Sequence, residues 1–458
     1  MPTNILNLPL LEVDKVTEDE HDYHIHAHSL DNPTSCPDCQ SKSIVGFGRN
    51  EKLVYDLPMH GKRVGIYFDT RRFQCKACGR TFLEQHSNFH AERNMTKRLV
   101  EWIGAQSLKR TFVSIAEETG VSEGTVRNIF RDYINDLEKK VRIETPTWMG
   151  IDEIHLVKPR GVITNIENQT VVEVLANRSQ ETITKYLSTL PGREKIQYVA
   201  MDMWRPYRNA VNEVLPQAKI VIDKFHVVRL ANDSLERVRK AMREQLSAKQ
   251  KRGLLHDRFI LIKREHDLNE KERFNLDGWT KNYPLLGQAY QAKEAFYGIY
   301  ESKSIHEASA RYEAWQKSIP PELHSHFSDL ITAFSNWQPY ILNYFHHPIT
   351  NSYTESLNNL ILIVDRMGRG YSFEALRAKI LFTESAQFKK NKYRPKFNRR
   401  APDRLSDELF MAKVDVTDVP MFRWSADEDD DQHDSQSDVI NYGASISTLI
   451  KLIEEGKI

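Results

Sequence analysis

The chain has 458 residues and a mass of 53.4 kDa, a length that suggests two to four domains. Hydrophobic residues make up 40% and charged residues 28%, which excludes a disordered or fibrous protein. The sequence has no apolar run of about 18 residues, as a membrane span would need, and its acidic start is unlike a signal peptide. We therefore expect a cytoplasmic protein with no membrane partner.

The net charge of +1 conceals an uneven distribution of charge along the chain. Residues 36–80 contain nine basic and four acidic side chains, and residues 379–404 contain nine basic and two acidic ones. Residues 405–458 contain four basic and thirteen acidic side chains. Two basic segments favour a polyanionic partner such as nucleic acid, although ordinary solvated faces would give the same counts.

The cysteines form two C-x-x-C pairs in the first fifth of the chain: Cys36, Cys39, Cys75 and Cys78. Four thiolates close a tetrahedral Zn²⁺ site and leave no open position for chemistry, so the ion would be structural. Two disulfides or a redox pair are the alternative. The absence of a secretory signal favours the metal.

The segment between the cysteine pairs predicts a zinc ribbon, which together with the N-terminal segment spans residues 1–92. Residues 62–68 alternate between polar and apolar side chains, as short strands joining two metal-binding turns would. Arg71 and Arg72 lie beside the second turn in the sequence and are candidate contacts to DNA phosphates.

A helix-turn-helix domain is predicted over residues 93–145. Helical spacing begins near Thr96, Gly120 is placed for a left-handed turn, and Ser122 is placed to cap the next helix. The inward positions would be Ile115, Val121, Val126 and Ile129. The outward positions, on a helix that could enter a major groove, would be Thr125, Arg127, Asn128 and Arg131. An αα-hairpin with no role in DNA binding is the alternative.

The pattern after Pro146 changes from helical to strand-like and predicts the element order βββαβαβα over residues 146–234. Three meander strands would precede two strands that are reached by helical crossovers, which makes a mixed sheet with flanking helices. Asp152 lies in the middle of the first strand, and Asp202 ends the fourth. This topology places the two carboxylates on adjacent strands.

Carboxylates on adjacent strands indicate a site for divalent cations. Burying an unpaired carboxylate costs several kcal/mol, and oxygen ligands suit hard ions such as Mg²⁺ or Mn²⁺. Glu355, at the polar start of a later helix, is the natural third ligand beside Asp152 and Asp202. Each carboxylate taken alone could equally be a surface or capping group.

Four short segments together resemble the ISL-three family of bacterial DDE transposases: residues 148–152, 201–207, 223–226 and 354–359. The resemblance covers roughly residues 30 to 400 and includes the zinc ribbon and the helix-turn-helix. It implies an α/β multidomain protein with an RNase H-like catalytic core whose Asp, Asp and Glu match Asp152, Asp202 and Glu355. An all-α insertion at 235–340 would interrupt the core, which residues 341–400 would complete.

The resemblance implies the transposase of an insertion sequence. Such an enzyme cleaves DNA with Mg²⁺ and joins a 3′-OH to target DNA, and its partners are the terminal inverted repeats and the target duplex. Synapsis of two ends implies a homodimer or a higher oligomer. The Asp223-x-x-His226 motif is similar to one in other insertion-bearing DDE transposases. There His226 would contact the scissile phosphate or a flipped base, with a helix-capping or core histidine as the alternative.

Basic residues after Glu355 are candidate contacts to the DNA backbone, namely Arg366, Arg369, Arg377 and the Lys389–Arg400 run. The acidic tail, residues 401–458, has no assigned role. Two other functions share these features. A nuclease without strand transfer needs the same carboxylates, and a catalytically silent DNA-binding regulator would keep the ribbon and the helix-turn-helix.

Overall fold

The computed structural model describes residues 5–141 and 144–385. These residues belong to one contact unit, Met1–Arg394, while the second unit, Pro395–Ile458, falls entirely outside them. The Lys389–Arg400 run and the acidic tail therefore lie outside the described residues. Within the described ranges, no helix combines the length and the apolar character needed to cross a bilayer.

The N-terminal region forms a mixed five-stranded sheet, which is larger than the small zinc ribbon predicted from the sequence. Its strands are β1 (Leu11–Glu18), β2 (Asp22–Ser29), β3 (Ile44–Met59), β4 (Lys62–Cys75) and β5 (Thr81–Leu83). The order is β1-β2-β4-β3 with β5 added to β4, and β2 runs parallel to β4. Alternate side chains form one apolar core that includes Ile25, Val54, Ile66 and Phe68. The β1–β2 hairpin was missing from the sequence prediction.

Three helices follow as predicted: α1 (Lys97–Ser107), α2 (Phe112–Thr119) and α3 (Glu123–Lys140). Gly120 has φ 72° and ends α2, and Ser122 accepts a hydrogen bond from the backbone N–H of Thr125. The close approach of α1 and α3 depends on Gly104, since a Cβ there would lie 2.6 Å from the ring of Tyr133. The predicted inward residues are all buried: Ile115, Val121, Val126 and Ile129.

The central sheet confirms the predicted βββαβαβα order. Its elements are β6 (Trp148–His155), β7 (Pro159–Asn165), β8 (Thr170–Val174), α4 (Gln180–Thr189), β9 (Tyr198–Met201), α5 (Arg205–Val214), β10 (Lys219–Ile222) and α6 (Lys224–Met242). The strand order is β10-β9-β6-β7-β8, with β9 and β10 parallel to β6 and with β7 antiparallel to it. Ile151 pairs with Met201, so Asp152 and Asp202 follow at the same edge of the sheet.

An all-α insertion follows, as predicted. Its helices are α7 (Ala248–His256), α8 (Arg258–Ile262), α9 (Glu270–Asn282), α10 (Pro284–Ile299), α11 (Ile305–Ser318) and α12 (His324–Leu342). The helix α6 runs across the predicted boundary at residue 234, because its apolar face continues through Leu235, Val238 and Met242. The insertion therefore shares one hydrophobic core with a face of the central sheet.

A buried lysine closes the end of α8 inside the insertion. Lys293 is fully buried, and its Nζ donates to the carbonyl oxygens of Leu261 (3.0 Å) and Lys263 (2.7 Å). The carboxylate of Glu294 lies 2.8 Å from the same nitrogen. Carbonyls at a helix C-terminus carry partial negative charge, so a cation there stabilises the helix end.

The chain returns to the central sheet with α13 (Ser352–Gly368) and α14 (Phe373–Glu384). These helices cover the face opposite to the insertion, where Leu357, Ile361, Leu376 and Ile380 pack on β6, β7 and β8. The first turn of α13 lies directly on β6. An added Cβ at Gly150 would lie 2.6 Å or less from Thr164, Asn351 and Thr354 side-chain atoms.

Candidate active site and zinc centre

The four cysteines converge on one point at the end of the long β3–β4 hairpin. The Sγ atoms of Cys36 and Cys78 are 3.8 Å apart, and those of Cys39 and Cys75 are 3.5 Å apart. Four thiolates placed tetrahedrally at Zn–S distances of about 2.3 Å are separated by about 3.8 Å. The quartet therefore has the donor atoms and the spacing of a structural Zn²⁺ site, as predicted.

Similar turns present the two cysteine pairs. The N–H of Gln40 donates to the carbonyl of Cys36, and the N–H of Gly79 donates to the carbonyl of Cys75, both at 2.9 Å. Gln40 has φ 58° and Gly79 has φ 74°, so each turn ends in a left-handed residue. Cys36 and Cys75 are buried while their partners are exposed, which places the site half in the sheet and half at the surface.

Asp152 and Asp202 form the centre of the candidate active site. Asp152 is 8% exposed, and burial followed by repulsion from Asp202 raises its pKa to about 7. One oxygen of Asp202, Oδ1, is buried and lies 2.9 Å from Nδ1 of His226. Carboxylates that repel each other are the donor set that a hard divalent cation prefers.

His226 and Asp223 belong to the same cluster. Asp223 caps α6, and the Nδ1 of His226 lies 2.9 Å from Oδ1 of Asp202 and 3.6 Å from Oδ2 of Asp223. The contact to Asp202 is an ion pair when the imidazole is protonated. These two carboxylates, Asp202 first, raise the pKa of His226 to about 10. A protonated imidazole therefore lies against the second aspartate at neutral pH.

Glu355 lies in the first turn of α13, on the helix edge that contacts β6. Asn351 donates to the carbonyl of Ile151 at 3.2 Å, and Asn358 donates to Oδ2 of Asp152 at 2.9 Å. Glu355 follows Asn351 by four residues and precedes Asn358 by three, so all three share one face of the helix. Its side chain is exposed at the rim of the cluster.

The spacing of the carboxylates differs from that of the cysteines. Among the described residues, the cysteine quartet is the group in which three or more metal-ligand atoms lie within 4.8 Å of one another. The structure brings His226 against Asp202 and Asp223, with Asp152 on the neighbouring strand. No three of Asp152, Asp202, Asp223, His226 and Glu355 reach the 4.8 Å spacing as the described residues stand.

Three contacts near the carboxylates were not anticipated from the sequence. Asn358 donates a hydrogen bond to Asp152. The only sequence signal for this contact is a polar residue in an amphipathic helix. Arg178 pairs with Glu153, and its guanidinium lies 4.8 Å from the ring centre of Trp204. Tyr207 is buried beside this cluster, and its hydroxyl donates to the carbonyl of Asp152 at 3.4 Å.

The predicted DNA-contacting residues of α3 lie on its outer face. Arg127, Asn128 and Arg131 are exposed and Thr125 is partly exposed. Arg127 pairs with Glu123 at 2.6 Å, and Arg131 donates to Asn128 at 2.9 Å. These are surface contacts worth little, so the side chains are available to a duplex.

The other predicted backbone contacts differ in their availability. The prediction for Arg377 is wrong, because its guanidinium is bound to Glu173 at 2.6 Å and to Glu138 at 3.1 Å. Arg71 is bound to the buried carboxylate of Glu84 at 2.6 Å, so its guanidinium is part of the N-terminal fold. Arg72 is exposed beside the ring of Phe47. Arg366 and Arg369 lie at the exposed end of α13, and Arg366 is eleven residues beyond Glu355, or about 16 Å along the helix axis.

Comparison with known proteins identifies the family to which this architecture belongs. A family model described as transposase, of the ISL3 type, matches residues 149–380, which is half of the chain. The chain belongs to the ISL3 family of transposases. Two further models match this ISL3 transposase in the order predicted from its sequence. The zinc-finger model of transposases IS204/IS1001/IS1096/IS1165 matches residues 32–78, and the helix-turn-helix model of transposase family ISL3 matches residues 91–134.

A curated relative supports the same assignment. The chain is 23% identical over 350 residues to a protein of Bordetella parapertussis named transposase for insertion sequence element IS1001. The alignment covers 73% of this ISL3 transposase and 85% of the relative. The similarity therefore extends through most of both proteins and is not confined to one domain.

Proposed function

We propose that this ISL3 transposase binds the terminal inverted repeats of an insertion sequence and catalyses Mg²⁺-dependent DNA cleavage and 3′-OH strand transfer. The observation that carries the proposal is the pairing of Asp152, buried in β6, with Asp202 at the end of the neighbouring parallel strand. Burial, followed by repulsion from Asp202, raises the pKa of Asp152. This arrangement is unfavourable for the fold unless a cation compensates it.

The chain's own residues prepare the site for a metal. The carboxylate of Asp152 accepts from the N–H of Glu153 at 2.7 Å and from Asn358 at 2.9 Å, so its orientation is fixed. Asp202 contributes a buried oxygen, Oδ1, whose charged neighbour is the imidazole of His226 at 2.9 Å. When bound, Mg²⁺ or Mn²⁺ would activate a water or a 3′-OH and stabilise charge on the leaving oxygen.

We assign Glu355 as the third ligand on the basis of its position between Asn351 and Asn358. Both asparagines fasten its helix to β6, so the backbone of Glu355 is fixed while its exposed side chain can change rotamer. A rotation toward Asp152 becomes favourable once a cation neutralises the other carboxylates. Glu153 is a weaker candidate because its carboxylate is already paired with Arg178.

Asp223 and His226 act beside the metal ligands in this proposal. Asp223 fixes the start of α6 and shares the imidazole of His226 with Asp202. The protonated ring brings positive charge to the position where a scissile phosphate would approach the carboxylates. We propose that His226 orients this phosphate and that Asp223 orients His226.

The DNA partner is recognised by the N-terminal domains in this proposal. The outer face of α3 would read bases in the major groove through Thr125, Arg127, Asn128 and Arg131. Arg72, Arg366 and Arg369 are proposed contacts to backbone phosphates. Two ends must be brought together for strand transfer, so we propose a homodimer or a higher oligomer on DNA.

The decisive experiment compares Asp202→Asn with Glu213→Gln, a change at an exposed carboxylate on α5. Wild type and Glu213→Gln should nick a labelled terminal-repeat duplex in Mg²⁺, and Asp202→Asn should not. All three proteins should bind the duplex equally, because Asp202 lies far along the chain from the helix-turn-helix. Retained nicking in Asp202→Asn would refute the metal-ligand assignment.

A second comparison tests which glutamate completes the site. Glu355→Gln should abolish Mg²⁺-dependent nicking, whereas Glu153→Gln should keep at least a tenth of the wild-type rate. The opposite ranking would make Glu153 the third ligand. A labelled 3′-OH end that joins to a target plasmid would separate transposition from hydrolysis alone, and a wild type that binds but neither nicks nor joins would indicate a regulator.

A further inference from the structure

The last helix of the catalytic core, α14, also belongs to the DNA-binding domain. Its residues Ala378 and Phe382 are buried in the hydrophobic core of the helix-turn-helix. Leu376, Ile380 and Leu381 are buried against the central sheet. One helix of twelve residues therefore has each of its two apolar faces in a different domain.

Lys379 joins α14 to the end of α1. It is 2% exposed, and its Nζ donates to the carbonyl oxygens of Ser107 and Arg110, the latter at 2.9 Å. The rings of Phe112 and Tyr371 lie 4.9 and 4.8 Å from the nitrogen. Burial lowers the pKa of Lys379 to about 8, so the amine is still mostly protonated at neutral pH. Carbonyls at a helix end and aromatic faces both favour that cation.

Arg377 joins α3, the second helix of the helix-turn-helix, to the central sheet. Its guanidinium forms two hydrogen bonds to Glu173 of β8, at 2.7 and 2.6 Å, and one to Glu138 of α3, at 3.1 Å. Glu173 is 5% exposed, so this pair is shielded from solvent. A forked pair of this kind fixes direction as well as distance.

We propose that Lys379 and Arg377 are positioning residues that hold α3 at a fixed distance and orientation from the catalytic carboxylates. The α14 helix would thereby determine which phosphodiester is cut relative to the bound repeat. This inference rests on the proposed function, because it assumes cleavage at Asp152 and Asp202. Lys379 is not among the residues assigned to DNA or to metal, and Arg377, a backbone contact in the sequence prediction, is instead paired with Glu173 and Glu138.

The physical basis is the difference between an apolar interface and a directional one. Apolar contacts between α14 and the helix-turn-helix are non-directional, so they tolerate small sliding of the two domains. The bonds from Lys379 to two carbonyls and from Arg377 to two carboxylates are directional, so they do not tolerate such sliding. A misplacement of about 1 Å at a reacting centre costs roughly 100-fold in rate.

The test uses the full-length chain with Lys379→Met, its conservative partner Lys379→Arg, and Lys293→Met as a matched control. Lys293 is a buried lysine that also caps a helix C-terminus, but both the lysine and its helix lie within the insertion. For each protein we would measure the Kd for a terminal-repeat duplex, the kcat and KM of nicking, and the nicked position at single-nucleotide resolution.

Lys379→Met should bind the duplex within about twofold of wild type and keep its KM. Its kcat should fall at least about tenfold, and its nicks should spread over neighbouring phosphodiesters. Lys379→Arg should nick at a single position again, and the control Lys293→Met should nick at the same single position as wild type. A Lys379→Met protein that nicks one position at the wild-type rate would overturn the proposal, as would a parallel loss of binding and nicking.

Two further measurements keep the result decisive. If Lys379→Met loses its zinc and its helical circular dichroism, Arg377→Gln takes its place with the same expected spread of nicks. Calorimetry without DNA should show one unfolding transition in wild type and two in the variant, because the two domains no longer unfold as one cooperative unit. If wild type nicks nothing in Mg²⁺ or Mn²⁺, the proposed function fails, while a single transition in both proteins would independently refute the coupling.

Discussion

Replacing Gly150 with alanine should separate the two halves of the catalytic core. Gly150 lies in β6, two residues before Asp152, where the first turn of α13 approaches the strand. An added Cβ would lie 2.4 Å from Oγ1 of Thr164, 2.5 Å from Oδ1 of Asn351 and 2.6 Å from Oγ1 of Thr354. None of the three atoms can move freely, because they are hydrogen-bonded to one another in the interior.

The expected cost has two parts. Forcing a methyl group into this packed contact costs about 1–3 kcal/mol. Displacing α13 also breaks a buried bond of the Thr164–Thr354–Asn351 network, which costs about 1–3 kcal/mol more. The free energy of unfolding should therefore fall by about 2–6 kcal/mol, and the Tm should fall by at least about 4 °C. Since α13 carries Glu355 and Asn358, nicking should fall roughly 100-fold.

The assay is thermal unfolding together with nicking of the terminal-repeat duplex. Gly46→Ala is the matched control, because it is also a strand glycine and an added Cβ there would meet nothing within 4 Å. It should change neither Tm nor nicking. A Gly150→Ala protein with an unchanged Tm and full activity would show that α13 is not fixed on β6 as the structure has it.

Three other perturbations test separate parts of the molecule. Cys75→Ser, or removal of zinc by a chelator, should unfold the N-terminal ribbon and lower affinity for the terminal repeat at least about tenfold; a zinc-free protein with full binding would contradict the structural site. Asn128→Ala should weaken binding to the cognate repeat by about 1–3 kcal/mol and leave binding to random duplex unchanged, and an equal loss for both would argue against base contact. Burial lowers the pKa of Lys293 to about 8, below its value of 10.5 in the unfolded chain. The unfolded state therefore binds more protons between these two pH values, so stability should rise with pH across this window in wild type. Denaturant titrations should show that Lys293→Met lacks this share of the rise, and an identical pH dependence in both proteins would refute it.

The helix-turn-helix could be predicted almost completely because its signals are local. Gly120 and Ser122 act on the residues next to them, and the apolar spacing of α3 fixes which side faces inward. Locality also explains the success with β6 and β9, whose strand patterns and connecting helix determine that Asp152 and Asp202 are neighbours.

The parts that escaped prediction depend on contacts between distant segments. Nothing in the residues around Lys379 indicates that it would meet α1, 272 positions earlier in the chain, or that Asn358 would bind Asp152. The β1–β2 hairpin is a different case. Ile25 and Ala27 alternate with histidines and are buried, so a strand signal was present, but it was too short and too polar to stand out.

The insertion leaves and rejoins the catalytic core at neighbouring points. Arg237 of α6 pairs with Asp329 of α12, and Asn343, just after α12, donates to the carbonyl of Ile220 in β10 at 2.7 Å. The insertion therefore contains more than a hundred residues, and these two contacts hold its first and last helices next to each other. Relatives could lengthen, shorten or rebuild the insertion without displacing α13 from β6, so the geometry of the proposed site would be independent of the insertion's length.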